Sequence, residues 1–167
     1  MPDVSIKLGN NNTTTDAFGH FFYNDITLNS AGTYLTADMD GFFEGSRRFF
    51  PKENTESYVK IQLLEKLFDQ TLDSQTGGTI NIGTNVITTV DFSGNSFVLP
   101  NGDTYNGTVH VAAKYLNPLS DETFEQMPGN LQGVNSLATE VVLSTYGMIA
   151  VELEGDAGEK ILSLIHI

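Results

Sequence analysis

The 167-residue chain contains no cysteine, and this absence excludes three kinds of site at once. Disulfide frameworks, thiolate zinc sites and cysteine nucleophiles all require a thiol. The absence leaves the cellular compartment open, because an exported protein need not use disulfides.

Positive charge is scarce as well. Only 8 Lys and Arg oppose 21 Asp and Glu, which gives a formal net charge of -13 at pH 7. A chain this acidic repels phosphate backbones, so we expect no nucleic-acid partner.

Long apolar runs and a targeting signal are also missing. No run approaches the roughly 20 apolar residues that a membrane-spanning helix needs. Residues 1–6 lack the basic region and apolar core of a signal peptide. The last residues, 161–167, form an apolar run without a polar tail. We therefore expect a chain that does not span a membrane and that is a fragment of a longer protein.

What the chain does contain is short segments of alternating apolar and polar residues, separated by turns. Its 16 glycines are spread along the sequence and mark many of these turns. Period-two alternation with β-branched or aromatic residues predicts strands. Such segments cover residues 4–8, 58–63, 79–82, 86–90, 108–116 and 148–153. The pattern predicts an all-β fold made of two consecutive small β-sandwich domains.

Helix is predicted at one short segment only. Residues 120–126 carry acidic residues suited to a first helical turn, and Pro128 and Gly129 would end the helix. Residues 62–68 are interpreted as the end of a strand plus a linker. A polar, turn-rich stretch at 69–78 predicts the domain boundary, with one domain over 1–68 and the other over 79–167.

The first part resembles the carboxypeptidase regulatory-like domain. The pattern Thr-Asp-x-x-Gly-x-Phe at 15–21 is followed by Asp-Gly-Phe at 40–42, and 58–63 is similar to that family's closing strand. The resemblance covers roughly the first 66 residues and implies a transthyretin-like β-sandwich that is not catalytic. The family's usual opening strand would precede Val4, so the first strand is expected to be missing.

The second part is similar to a β-sandwich module of large bacterial surface proteins and to a region of cartilage intermediate layer proteins. The similarity covers about residues 77–162 and rests on five segments, 102–109, 115–118, 127–131, 144–148 and 151–153. It implies an extracellular or cell-envelope location and names no ligand.

Candidate chemistry is sparse. The histidines His20, His110 and His166 have no partner at metal-ligand spacing, so we expect no metal site and no cofactor. Asp38, Asp40 and Glu44 could gather around calcium, but a tight turn at Asp40-Gly41 is the preferred interpretation. Three further carboxylates, Asp121, Glu122 and Glu125, lie in one polar segment that is typical of a solvated surface.

The best candidate for a binding surface is an aromatic cluster interrupted by two arginines. It comprises Phe42, Phe43, Phe49, Phe50, Tyr34 and Tyr58. Strand alternation requires about half of these rings to be buried. Arg47 and Arg48 lie between the Phe pairs and can stack on a ring or pair with a carboxylate. The predicted ligand or partner surface is therefore Phe43, Arg47, Arg48 and Phe50.

These observations predict a non-catalytic structural or adhesive segment of a bacterial cell-surface or secreted protein, with a glycan or a protein as partner. Two alternatives stay open. One is a carbohydrate-binding module that uses exposed aromatic residues, and the other is a structural subunit of a virion or appendage.

Overall fold

The computed structural model describes residues 1–29, 32–83 and 88–163, without the side chain of Gln132. The fold is nearly all β with sheets in a sandwich-like arrangement, which confirms the predicted fold class. The described ranges contain thirteen strands and one short helix: β1 Ser5–Leu8, β2 Asn11–Thr14, β3 Thr33–Asp38, β4 Gly45–Phe49, β5 Phe68–Asp73, β6 Gly77–Ile82, β7 Thr88–Ser93, β8 Phe97–Val98, β9 Thr108–Leu116, α1 Thr123–Gln126, β10 Gln132–Val134, β11 Glu140–Val142, β12 Met148–Glu154 and β13 Lys160–Ser163.

The chain forms two compact units, each assembled from two stretches of sequence. Unit 1 contains the described residues of Met1–Glu65 and Leu116–Met148, and unit 2 those of Lys66–Tyr115 and Ile149–Ile167. The first observed boundary falls between Glu65 and Lys66, before the stretch at 69–78. The predicted ranges 1–68 and 79–167 also differ from the units, because the segment at 116–148 belongs with the first part of the chain.

Unit 1 is built on a four-stranded antiparallel sheet in the order β2-β1-β3-β4. Alternation along β1 and β3 buries one face of this sheet. The core that results consists of Val4, Ile6, Leu8, Leu35 and Ala37. Unit 1 also contains the β10–β11 hairpin and helix α1.

The strand predicted at 58–63 is wrong. These residues form no strand, although Ile61 and Leu63 pack against the core of unit 1 as the alternation requires. Their backbone finds other partners: the amide of Gln62 donates to the carbonyl oxygen of Glu125 at 2.9 Å. Period-two burial is therefore present without a strand ladder.

Helix α1 is shorter than the helix predicted at residues 120–126. It spans Thr123–Gln126, and Glu122 at its N-cap makes no side-chain capping hydrogen bond. Met127 is extended, with ψ of 147°, and ends the helix. This conformation is expected of a residue that precedes proline, here Pro128.

Unit 2 is built on a seven-stranded sheet in the order β7-β6-β5-β9-β12-β13-β8. Its core includes Phe92 and Phe97, whose rings stack with centroids 5.9 Å apart. The predicted strands at 79–82, 108–116 and 148–153 are confirmed as β6, β9 and β12. Of the strand predicted at 86–90, residues 86 and 87 lie outside the described ranges and the remainder begins β7.

The linker predicted at 69–78 is also wrong, because this stretch forms most of the β5–β6 hairpin. Asp73 closes the turn: its Oδ1 accepts hydrogen bonds from the amides of Gln75 and Thr76 at 3.0 and 2.9 Å. Gly77 follows with φ of 70°, a conformation that favours glycine. The polar residues that suggested a linker are the residues of a tight turn.

Candidate functional site

The four residues predicted to form a binding surface lie on or next to strand β4, and the structure divides them into two groups. Phe43 is buried, with 7% of its surface exposed, and its amide donates to the carbonyl oxygen of Leu64 at 2.9 Å. A buried ring cannot contact an external partner, so the inclusion of Phe43 in the predicted surface is corrected. Phe43 is the one buried ring of the aromatic cluster, whereas Tyr34, Phe50 and Tyr58 are exposed, so fewer rings are buried than the expected half.

Arg47 also points away from the outer face of the sheet. It lies opposite Leu35, a core residue, in the β3–β4 register. Its Nη1 donates to the carbonyl oxygens of Met127 and Gly129, at 3.3 and 2.6 Å. Burial lowers the pKa of the Arg47 guanidinium, while the charge of Glu125 acts in the opposite direction. The residue remains a cation, since arginine is not deprotonated in proteins.

Residues 127–130, which include the two carbonyl groups that accept the Arg47 hydrogen bonds, cover the open edge of β4. The amide of Gly129 donates to the carbonyl oxygen of Ser46 at 3.1 Å, and Nδ2 of Asn130 donates to the carbonyl oxygen of Arg48. Edge strands present unpaired backbone groups that promote aggregation unless they are covered. The Met-Pro-Gly sequence at 127–129 therefore has a structural role, as edge cover for the sheet.

Arg48 and Phe50 lie on the outer side of the strand. The guanidinium carbon of Arg48 is 4.8 Å from the centroid of the Phe50 ring, a cation–π arrangement. Nη2 of Arg48 is also 3.1 Å from Oε1 of Glu140. Two independent contacts therefore fix the position of this guanidinium.

Tyr34 completes this outer surface. It pairs with Arg48 in the β3–β4 register, so both side chains leave the same face of the sheet. Tyr34 is 58% exposed and Phe50 is 41% exposed. We call the set Tyr34, Arg48, Phe50 and Glu140 the β4 surface. It joins two exposed rings to a guanidinium that is held between a ring and a carboxylate.

The β4 surface borders an exposed apolar face on the β10–β11 hairpin. Val134 pairs with Glu140 in the hairpin register, and Val142 lies on the same face two residues further along β11. Both valines are exposed. Apolar side chains grouped beside aromatic residues and arginine are a composition typical of interaction surfaces.

Sequence reasoning identified part of this surface and missed the rest. It selected Arg48 and Phe50 and placed Tyr34 in the aromatic cluster. It missed Glu140, which lies 92 positions after Arg48 in the chain. The sequence has no signal for this pair, because one carboxylate among 21 acidic residues cannot be distinguished without the fold.

The other polar candidates have local partners. Asp40-Gly41 forms a turn in which the amide of Phe42 donates to the carbonyl oxygen of Met39 at 3.1 Å. Nε2 of His110 lies 3.1 Å from Oδ1 of Asp156, and Nδ1 of His20 lies 3.9 Å from Oδ2 of Asp16. His166 is outside the described residues. Within the described ranges, no three His, Asp or Glu side chains are grouped so that they could hold a metal ion.

Two of the three carboxylates at 121–125, Glu122 and Glu125, make side-chain contacts. Oε2 of Glu125 is 2.7 Å from Nζ of Lys60, and Oε2 of Glu122 accepts a weak hydrogen bond from Nε2 of Gln126 at 3.4 Å. These contacts are those of a solvated surface.

Compared with protein-family models, with curated proteins and with solved structures, the chain matches none of them. In the part of the chain that the structure describes, no helix is long and apolar enough to cross a membrane.

Proposed function

We propose that this chain is a non-catalytic, adhesive β-sandwich segment of a bacterial cell-surface or secreted protein, and that it binds its partner through the β4 surface. The observation that carries the proposal is the Arg48–Phe50 stack, in which the exposed Phe50 ring lies beside a guanidinium fixed by Glu140 and flanked by Tyr34. The all-β architecture and the resemblance to extracellular β-sandwich modules support a location outside the cell or in its envelope.

Preorganisation of Arg48 favours binding at the β4 surface. Tyrosine and arginine are enriched among residues that dominate binding energy, because each buries a large area with a polar end that selects its partner. A free arginine loses side-chain entropy when it binds. Arg48 is already held by Phe50 and Glu140, so less of this cost remains to be met on association.

A carbohydrate-binding module is the first alternative, and the exposed rings of Tyr34 and Phe50 favour it. An aromatic ring offers an apolar face with a polar edge, which suits the face of a sugar ring. A protein partner would instead use the adjacent valines of the hairpin. The two partner classes therefore differ in whether Val134 and Val142 contribute.

A structural subunit of a virion or appendage is the second alternative. The exposed valines of the β10–β11 hairpin favour it, since apolar surface promotes assembly. Sedimentation velocity across a range of protein concentrations tests this alternative. A monomer at every concentration would contradict it.

The proposed function is tested by binding to a printed array of bacterial and host polysaccharides and extracellular-matrix proteins. We expect the wild-type chain to bind at least one feature, and Tyr34→Ala, Arg48→Ala and Phe50→Ala each to reduce that binding. Phe22→Ala is the matched control, because it removes an exposed phenylalanine outside the β4 surface. Equal binding by all variants would refute the role of this surface.

A further inference from the structure

A second feature of unit 1 lies on the inner side of β4, where Arg47 points. A cavity of about 250 Å³ that is widely open to solvent is present there, lined by Arg47, Lys60, Phe124, Glu125, Met127 and Asn130. Arg47 and Arg48 are neighbours in a strand, so their side chains leave opposite faces. This cavity is therefore separate from the β4 surface.

The charge around the cavity is positive, whereas that of the whole chain is negative. Four of the eight Lys and Arg lie between residues 47 and 60, where the acidic residues are Glu53 and Glu56, so the segment carries 4 − 2 = +2. At the cavity itself Arg47 and Lys60 face the single carboxylate of Glu125, which leaves one positive charge in excess. One carboxylate on a ligand would neutralise it.

The remaining residues that line the cavity include a group that can recognise a feature of a ligand other than its charge. Phe124 is 58% exposed, so its ring is available for stacking at the cavity. Oδ1 of Asn130 is buried and accepts no hydrogen bond from any residue that the structure describes. A buried acceptor without a donor is costly, but this oxygen has almost no exposed surface, so a ligand in the cavity does not reach it.

We propose that this cavity binds the carboxylate and ring of a single sugar acid, a hexuronate at the end of an oligosaccharide. Arg47 and Lys60 would hold the carboxylate, and Phe124 would stack on the ring. A terminal residue fits better than a polyuronate chain, because the net charge of -13 repels a polyanion. The proposal goes beyond adhesion through the β4 surface and does not depend on it.

The test is titration of the ¹⁵N-labelled chain with three matched compounds, followed by NMR. D-glucuronate carries both the ring and the carboxylate, D-glucose lacks the carboxylate, and acetate lacks the ring. We expect D-glucuronate to shift the amide signals of residues around the cavity. We expect glucose and acetate to bind at least about tenfold more weakly, because each loses a charge-assisted or a stacking contact.

Variants locate the site. Lys60→Gln and Phe124→Ala change exposed side chains, and we expect each to weaken D-glucuronate binding about threefold to tenfold. Lys52→Gln is the matched control, since it removes the same charge from an exposed lysine that does not line the cavity. Circular dichroism confirms that each variant is folded.

Four results would overturn the proposal. The folded wild-type chain could fail to bind D-glucuronate, or glucose could bind as tightly, which would show that the carboxylate is not recognised. Acetate could bind as tightly, which would show that the ring is not recognised. Lys52→Gln could weaken binding as much as Lys60→Gln, which would show that only general charge attracts the ligand.

Discussion

The opposite placement of Phe43 and Phe50 gives a quantitative prediction for stability. Phe43→Ala removes a ring that is only 7% exposed, and buried Phe→Ala substitutions cost about 3–5 kcal/mol. Phe50→Ala removes a ring that is 41% exposed and stacked on Arg48, and an exposed cation–π contact contributes about 0.5–1 kcal/mol. We expect the first substitution to destabilise unit 1 several times more than the second.

The measurement is urea unfolding of the wild type and both variants, followed by circular dichroism. A whole domain is stable by only about 5–15 kcal/mol, so Phe43→Ala should move the unfolding midpoint far towards low urea. Phe50→Ala should move it little. Equal losses for the two variants, or a loss below about 1 kcal/mol for Phe43→Ala, would refute the division of these rings into core and surface.

Three further predictions concern single contacts. Arg47→Met leaves the carbonyl oxygens of Met127 and Gly129 without their donor, so we expect it to lower the free energy of unfolding in urea by about 2 kcal/mol. Arg48→Met should lower it by under about 1 kcal/mol. A larger loss for Arg48→Met than for Arg47→Met would contradict the role of Arg47. Gly77→Ala adds a Cβ 2.1 Å from the carbonyl oxygen of Phe92, whereas Gly158 has a similar φ and no atom within 4 Å. We expect Gly158→Ala to lower the free energy of unfolding by about 1–2 kcal/mol, because alanine is strained in this backbone conformation, and Gly77→Ala to lower it clearly more. Equal melting temperatures for the two variants would argue against the hairpin geometry. The side-chain hydrogen bond to His110, and then the amide of Thr108, lower the pKa of Asp156 from its ordinary 3.8. Because the pKa of Asp156 is lower in the folded chain than in the unfolded chain, the stabilisation from this carboxylate is complete above pH 3.8. It is lost as the pH falls through the pKa of the folded chain. Asp156→Asn should thus be less stable than the wild type at pH 6 and closer to it at pH 3, and a constant difference would show that the carboxylate charge contributes nothing.

The sequence predicts the bounds of one long strand, β9, correctly. Residues 108–116 match β9, although the alternation is strict only over its first four residues and Val111 and Ala112 are both buried. At 58–63 the same pattern correctly placed Ile61 and Leu63 towards the core but gave a false strand. Alternation reports which side chains are buried, whereas a strand also needs a partner with free backbone groups.

Polar turn-rich sequence was ambiguous for a related reason. Residues 69–78 carry the composition of a linker and also that of a tight hairpin turn. The difference lies in the pairing of β5 with β9, which joins residues as far apart in the chain as Asp73 and Thr108. No local pattern encodes it, so the boundary was displaced into a hairpin.

The candidate site shows the same limit. Composition pointed to Arg48 and Phe50 and equally to Phe43, which is buried, because composition does not separate the two sides of the strand. Lys60, Phe124 and Asn130 come from three separate segments and meet only because the 127–130 segment covers the edge of β4. Sequence can select residue types for a surface, whereas the fold decides which of them share it.

The most direct test of the proposed adhesive function is the array measurement with a triple variant, Tyr34→Ala with Arg48→Ala and Phe50→Ala. We expect the wild-type chain to bind at least one polysaccharide or matrix protein, and the folded triple variant to lose this binding while Phe22→Ala retains it. An array without any binding, or a triple variant that binds as well as the wild type, would contradict the assignment of the β4 surface as the site of adhesion.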